Sequence, residues 1–317
     1  MLTTSQRMEE FETPAETPTK YYRQFVLLWL LALVGSVSFR RSENPSVYKA
    51  QIDQWHTERI TALKKESGWL NLAGLFWLKE GDNTVGGSGS AVAFPSGKTP
   101  AHLGTLRLKD GTVSFTSAPR ADVRVDGKPL TESVTLFSPS LAKPVVLQHG
   151  SLRWFVIKRG NQYGIRLRDL ESARLKSFRG IDRFPVDGAW QVKARLNVPD
   201  QPKTIAITDV LGLTHQQPLA GTLVFELNGS AVRLDAVGEG EKLFVLFADP
   251  TNGHETYGAG RFLYVDKPGP DGTTIVDFNK SINPPCAFTA YATCPLPPKQ
   301  NRLALRITAG EKNTENH

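Results

Sequence analysis

Thr105 to Ser117 read TLRLKDGTVSFTS, two stretches in which Leu, Val and Phe alternate with polar residues on either side of Asp110-Gly111. Alternation with period two gives a strand one apolar face, and Asp-Gly supplies the positive φ angles of a tight primed turn, so the segment predicts a β-hairpin. The same grammar recurs along the chain. Asp126-Gly127 follows ADVRV, Asn228-Gly229 separates TLVFEL from AVRLDAV, and Asp271-Gly272 precedes TTIVDF. VVLQH, RWFVIKR, YGIRLRD, AWQVKARL, TIAITDV, KLFVLFAD, GRFLYVD and LALRITA read as further strands. So many short strands without helical crossovers predict a mainly β protein whose antiparallel sheets form a sandwich or a barrel.

One helix precedes the strands. Ser46 reads as its cap, and Ile52, Trp55, Ile60 and Leu63 recur at helical offsets up to Gly68, which predicts an amphipathic helix near the start. GWLNLAGLFWLKEGDNTVG, Gly68 to Gly86, is too interrupted by Gly for a second long helix and reads as short strand and turn. In the middle, DLESARLKSFRGIDRFPVDG (Asp169 to Gly188) breaks the strand rhythm. A cut near Arg183 gives a helix plus β-rich N-terminal half over residues 42–183 and a β-rich C-terminal half over 184–317.

The chain has 317 residues, 38 Lys plus Arg against 31 Asp plus Glu, and two Cys, a composition that excludes collagen-like, disordered and cysteine-stapled classes. The net charge of +7 is scattered, with pairs such as Arg40-Arg41 and Lys64-Lys65 as its densest tracts, so no nucleic-acid partner is expected. Residues 1–24 are a polar leader, and residues 25–41 hold the uncharged run FVLLWLLALVGSVSF, Phe25 to Phe39. As a helix that run spans ~22 Å, short of a ~30 Å hydrocarbon core, and Gly35, Ser36 and Ser38 offer a cleavage site. It reads as an export signal, with a retained membrane anchor as the competitor. Either places the rest of the chain in the periplasm or facing outside the cytoplasm.

Catalytic motifs are missing. GxSxG does not occur, Gly97-Lys98-Thr99 has Val92 where a phosphate loop needs its first Gly, and His254-Glu255 has Gly258 where a zincin needs its second His. The six His are dispersed, so neither a metal nor a cofactor is expected. What stands out is the pair LFADPTNGHETYGAGRFLYVD (Leu246 to Asp266) and IVDFNKSINPPCAFTAYATCPLPPKQNRLALRITAGE (Ile275 to Glu311). The prolines between Pro284 and Pro298 forbid helix or central strand there. In an exported chain Cys286 and Cys294 read first as a disulfide, worth ~2.6 kcal/mol in the chain-entropy model, with redox or metal chemistry as the alternatives.

DPTNGHETYGAGRFL, DFNKSINPPCAFTAYATCPLPPKQNRL and GWLNLAGLFWLKEGDN together resemble the bacterial domain-of-unknown-function family sixteen eighty-four, over most of residues 50–312. The family's run of Asp, Thr, Gly, Thr, Tyr, Gly and Arg is matched by Asp249, Thr251, Gly253, Thr256, Tyr257, Gly260 and Arg261, and its Asp-Phe-Asn by Asp277, Phe278 and Asn279. The resemblance implies no activity, and no catalytic residue is carried over from it.

Asp249, Arg261 and Asp277 lie at predicted strand ends and can meet at one rim of a sheet. One reading is a structural ion-pair network tying hairpin to loop. The other is a polar pocket in which Arg261 orients an anionic or carbonyl group, Asp249 or Asp277 acts as general base, and Tyr257 or His254 donates a proton. Asn279, Phe288 and Tyr291 join His254 as candidate ligand contacts. The sequence is read as an exported, envelope-associated binding or scaffold module for an unknown small molecule or envelope component. The alternative is a metal-independent hydrolase, and a thiol-redox protein is a third class that requires the two Cys close together with at least one exposed.

Overall fold

The computed structural model describes residues 44–314. The polar leader, the apolar run of residues 25–39 and its cleavage site lie outside the described residues. The first element is α1 (Pro45–Lys64). Its cap is Asn44, one residue before Pro45, whose side chain accepts from the Ser46 N–H at 3.1 Å. The expected cap at Ser46 is thereby displaced, because Pro45 lacks an N–H and is suited to the first helical position. No helix among the described residues is long and apolar enough to cross a membrane.

The N-terminal half continues through β1 (Leu72–Trp77), β2 (Gly81–Gly86), β3 (Val92–Ala93), β4 (Gly104–Lys109), β5 (Thr112–Ser117), β6 (Arg124–Val125), β7 (Lys128–Pro129), β8 (Val134–Phe137), β9 (Leu147–His149), β10 (Leu152–Arg159) and β11 (Gln162–Asp169). One sheet has the order β1-β11-β10-β9-β6-β7 and the other β3-β2-β4-β5-β8, antiparallel except for the short β2–β3 pair. They enclose a shared core of Leu106, Phe115 and Leu136 from one sheet with Leu152, Ile165 and Leu167 from the other. Trp154 fills its centre, edge-on to Phe94 and Phe115. This half is a sandwich.

After a short helix α2 (Ala173–Ser177) come β12 (Gln191–Asn197), β13 (Thr204–Thr208), β14 (Thr214–Leu227), β15 (Ser230–Glu239), β16 (Lys242–Phe247), β17 (Arg261–Asp266) and β18 (Thr273–Asp277). Their order β17-β16-β15-β14-β12-β18, with β13 paired to β14, curls into a nearly closed barrel around Leu223, Leu234, Val245, Leu263, Val276 and Phe278. Just past β18, Ile282 exchanges both backbone hydrogen bonds with Phe262 of β17, which covers the barrel's open edge. The chain is therefore mainly β and antiparallel, with the sandwich in one half and the barrel in the other.

Three of the four turn dipeptides form two-residue hairpins, with φ of 49° and 76° at Asp110-Gly111, 48° and 75° at Asp126-Gly127, and 52° and 75° at Asn228-Gly229. Asp271-Gly272 does not. It sits in a longer loop between β17 and β18, the two edges of the barrel sheet, which pair with other strands. LALRITA is not a strand either. Ile307 and Ala309 plug the barrel core, and their carbonyls accept from the Arg261 guanidinium instead of a neighbouring strand.

The helix belongs spatially to the far end of the chain. Arg59 Nε donates to Glu311 Oε1 at 3.1 Å and its Nη2 to the Asn283 carbonyl at 3.1 Å, while Asn283 N–H holds Glu311 Oε2 at 2.6 Å. Arg183, where the sequence reading cuts the chain, ion-pairs with Asp53 of α1 and forms a backbone bridge to Glu311. Gly310 allows this convergence: its φ is +78°, and a Cβ there would lie 2.5 Å from the Ser281 carbonyl oxygen. Gly310→Ala is expected to lower stability by about 2–3 kcal/mol, read as an earlier midpoint in urea unfolding.

Candidate functional site

The loop from Asp249 to Arg261 is held by its own side chains. Asp249 Oδ1 caps the Thr251 N–H at 2.8 Å, Asn252 Oδ1 accepts from the Asp249 N–H at 2.7 Å, and the Thr251 and Thr256 hydroxyls are 2.8 Å apart. Gly260, at φ +95°, leaves no room for a Cβ, which would stand 2.5 Å from Pro297 Cγ. Arg261 ends the loop with its side chain fully enclosed. One Nη2 contact reaches Asp249 Oδ2 at 2.6 Å, another the Ile307 carbonyl at 2.8 Å, Nη1 donates to the Ala309 carbonyl, and the guanidinium lies 5.0 Å from the Phe247 ring centre. Both side chains of the pair have 0% exposure, so no substrate touches either.

Asp277 stands elsewhere, under α1. Its Oδ1 accepts from the Tyr48 hydroxyl at 2.8 Å and the Asn279 N–H at 3.1 Å, and Asn279 Nδ2 also reaches the Tyr48 oxygen and the Asp187 carbonyl, both at 2.9 Å. No hydrogen bond or ion pair among the described residues joins Asp277 to Asp249 or Arg261. His254 is exposed, Tyr291 is exposed at the crest of the Pro/Cys loop, and Phe288 is buried with Arg59 5.5 Å above its ring. The polar residues singled out by the sequence thus resolve into two separate structural ties, one at the barrel plug and one under the helix.

Tyr257 and the two Cys do gather. Cys286 lies in a single 3-10 turn, Pro285–Ala287, and Cys294 precedes a bridge between Pro295 and Asp209. The Cys286 N–H donates to Cys294 Sγ at 3.0 Å, and both thiols are free in this structure. Cys286 is half-buried and Cys294 buried. The hydrogen bond from its neighbour holds the Cys286 thiol below the ordinary range, against burial and with help from Arg166. The thiol–thiol hydrogen bond, with burial, pushes Cys294 far up, against the Cys286 N–H, which favours its thiolate. Burial and the neighbouring thiols raise the Tyr257 hydroxyl.

Facing this corner from the sandwich is a set of residues that sequence reasoning passed over. Arg159 of β10 and Arg166 of β11 lie on the sheet's outer face, which is covered here by Trp69 and the Pro/Cys loop. Arg159 Nε donates to Thr293 Oγ1 at 2.9 Å. Arg166 is 6% exposed, stacks 5.6 Å from the Trp69 ring, and has no hydrogen-bond acceptor among the described residues. Burial, and then repulsion from Arg159 and Arg168, lowers its guanidinium to about 10. Arg168, lowered to about 10 chiefly by burial, differs in donating to the Glu66 and Gly68 carbonyls and to Asn71. The signal in the sequence was RWFVIKR: its supposed solvent parity includes Phe155 and Ile157, which marks a strand covered on both faces. No cluster of three or more His, Cys, Asp or Glu among the described residues is placed to hold a metal ion.

Fold and site together define a two-part β protein in which a sandwich presents buried arginines to a cysteine-bearing loop of a barrel. Residues 176–312 match the family model described as protein of unknown function (DUF1684), and the chain belongs to that family. The match is shorter than the span of the sequence resemblance and contains the barrel, the plug and both Cys, while α1, Arg159 and Arg166 lie outside it. An uncharacterized protein of Haloarcula marismortui, solved by solution NMR, is 30% identical over 45% of this chain and 82% of that one, with a TM-score of 0.39. No curated protein matches.

The buried pair gives a direct test. Asp249→Ala leaves the Arg261 charge enclosed without its carboxylate and is expected to cost about 3–5 kcal/mol, whereas Asp249→Ala combined with Arg261→Met costs less than the sum of the two single changes. Urea unfolding of the four proteins measures the coupling.

Proposed function

We propose that the protein is an exported, envelope-associated binding module that takes a small anionic molecule, a carboxylate or phosphate, at the corner of Arg159, Arg166 and Cys286. The observation that carries this reading is Arg166, a guanidinium 6% exposed with no acceptor among the described residues. A buried cation without an acceptor is costly, and an anion entering beside it is stabilised by charge-assisted hydrogen bonds in a setting that water screens weakly. Asp209 contributes negative charge nearby, but its Oδ1 is occupied by the Leu211 and Leu213 N–H groups at 2.9 and 3.0 Å. The enclosed Asp249–Arg261 pair and its separation from Asp277 leave the hydrolase reading without a shared cleft, so binding is favoured over hydrolysis.

Export rests on the apolar run of residues 25–39. If that run is retained as an anchor, only residues 40–43 separate it from Asn44, so the start of α1 is tethered close to the bilayer surface. Fractionation of cells producing the full chain tests this: export predicts protein outside the cytoplasm, and removal of residues 1–41 retains it inside.

Binding is tested by thermal unfolding with inorganic phosphate and with succinate. A ligand at a hundred times its Kd adds about 2.7 kcal/mol, so one of the two is expected to raise the midpoint of the wild-type protein. Arg166→Met abolishes the rise and Arg233→Met, an exposed change on β15, preserves it. An equal rise in Arg166→Met, or none in the wild type with either anion, defeats the reading.

A further inference from the structure

We propose that Cys286 and Cys294 form a reversible dithiol–disulfide couple that exchanges with low-molecular-weight disulfides, in which Cys286 attacks and Cys294 resolves. The inference goes beyond anion binding and stands without it. The two residues are neighbours in space, with the Cys286 N–H on Cys294 Sγ at 3.0 Å, so the sulfurs are brought together by the fold before any bond forms. Their environments differ in the way an attacking and a resolving thiol differ: Cys286 is half-buried and reachable, while Cys294 is 4% exposed and packed with Ile205, Ile207 and Phe262.

The stems of the loop are fixed and its crest faces solvent at Ala290 and Tyr291. Ala287 and Phe288 N–H groups close the turn onto the Pro284 and Pro285 carbonyls, and Cys294 accepts from the Val210 N–H while Leu296 N–H donates to Thr208, both at 3.0 Å or less. Between these anchors Ala290 and Tyr291 are exposed, so a small change in Cys–Cys spacing is absorbed at solvent-facing residues. Arg166, short of an acceptor, faces both sulfurs and stabilises whichever carries negative charge. The Cys286 thiol is held below the ordinary range by Cys294, against burial and with help from Arg166, which favours it over Cys294 as the attacking sulfur.

The exchange balances in two steps. Cys286 thiolate attacks one sulfur of a small disulfide RSSR, forming the mixed disulfide Cys286–S–S–R and releasing RS⁻. Cys294 then attacks Cys286 Sγ, the Cys286–Cys294 bond forms, and the second RS⁻ leaves; the protons of the two original thiols pass to the two released thiolates. The protein loses two electrons to RSSR, which is reduced to two RSH, and excess RSH reverses both steps.

Oxidised and reduced glutathione serve as the probe. The full chain is equilibrated in buffers of varied ratio, trapped with N-ethylmaleimide at low pH and weighed intact. Two adducts after reduced buffer, none after oxidised buffer, and recovery of both on return to reduced buffer are expected. Cys294→Ser is expected to accumulate a glutathione mixed disulfide at Cys286, and Cys286→Ser at least tenfold less at Cys294. The proposal is overturned if both thiols stay alkylatable in oxidised buffer, or if a bond once formed persists in excess reduced glutathione. It also fails if Cys286→Ser collects the mixed disulfide as readily as Cys294→Ser. The wild-type cycle decides the matter even where a variant folds poorly.

Discussion

The enclosed Arg261 guanidinium dictates how the second half of the molecule is assembled. A charge with no exposure must find its acceptors inside the protein, and the two Nη groups find one carboxylate oxygen and two backbone carbonyls while Nε stays unpartnered. The carbonyls belong to Ile307 and Ala309, so satisfying Arg261 fixes the last described stretch of chain across the barrel's mouth. That placement in turn positions Gly310 against Ser281 and Glu311 against Asn283 and Arg59. The barrel plug, the C-terminal tail and the first helix are consequently one mechanical unit with a buried ion pair at its root.

Three buried or half-buried arginines show how differently one fold can treat the same group. Arg261 meets a carboxylate and two carbonyls through its Nη groups, and Arg168 two carbonyls and an amide through Nη1. Arg166 has an aromatic face and two thiols for neighbours but no acceptor. The first two arrangements hold structure together at little chemical risk. The third leaves positive potential in a corner where sulfur chemistry and anion capture both become favourable, so the binding proposal and the redox proposal share Arg166.

What was readable in the sequence was local. Asp110-Gly111, Asp126-Gly127 and Asn228-Gly229 specify their hairpins through backbone angles that depend on two residues only, and the alternation around them marks strands with one core face. Asp271-Gly272 has the same letters, but its flanking strands pair with partners far away in sequence, and turn chemistry carries no information about that. LALRITA alternates like a strand, yet its carbonyls were claimed by an arginine more than forty positions earlier. The bland reading of Asp249 and Arg261 as a structural tie agrees with their full enclosure; that Asp277 stands apart from them could only come from the register of β12 with β18. Arg166 looked like the polar face of YGIRLRD because the sequence does not say that a second layer covers that face.

The docking of α1 sets an order of events. Its residues are made first, yet its anchors Asn283 and Glu311 follow Arg59 by 224 and 252 positions. Contacts of such separation form late, because most of the chain must be in place before they offer anything in return. The docking of the helix thus depends on the sandwich and barrel between the two partners being formed. Losing the Glu311 carboxylate would leave Arg59 without its ion-pair partner, so the seating of the first helix reports on the state of a residue 252 positions away.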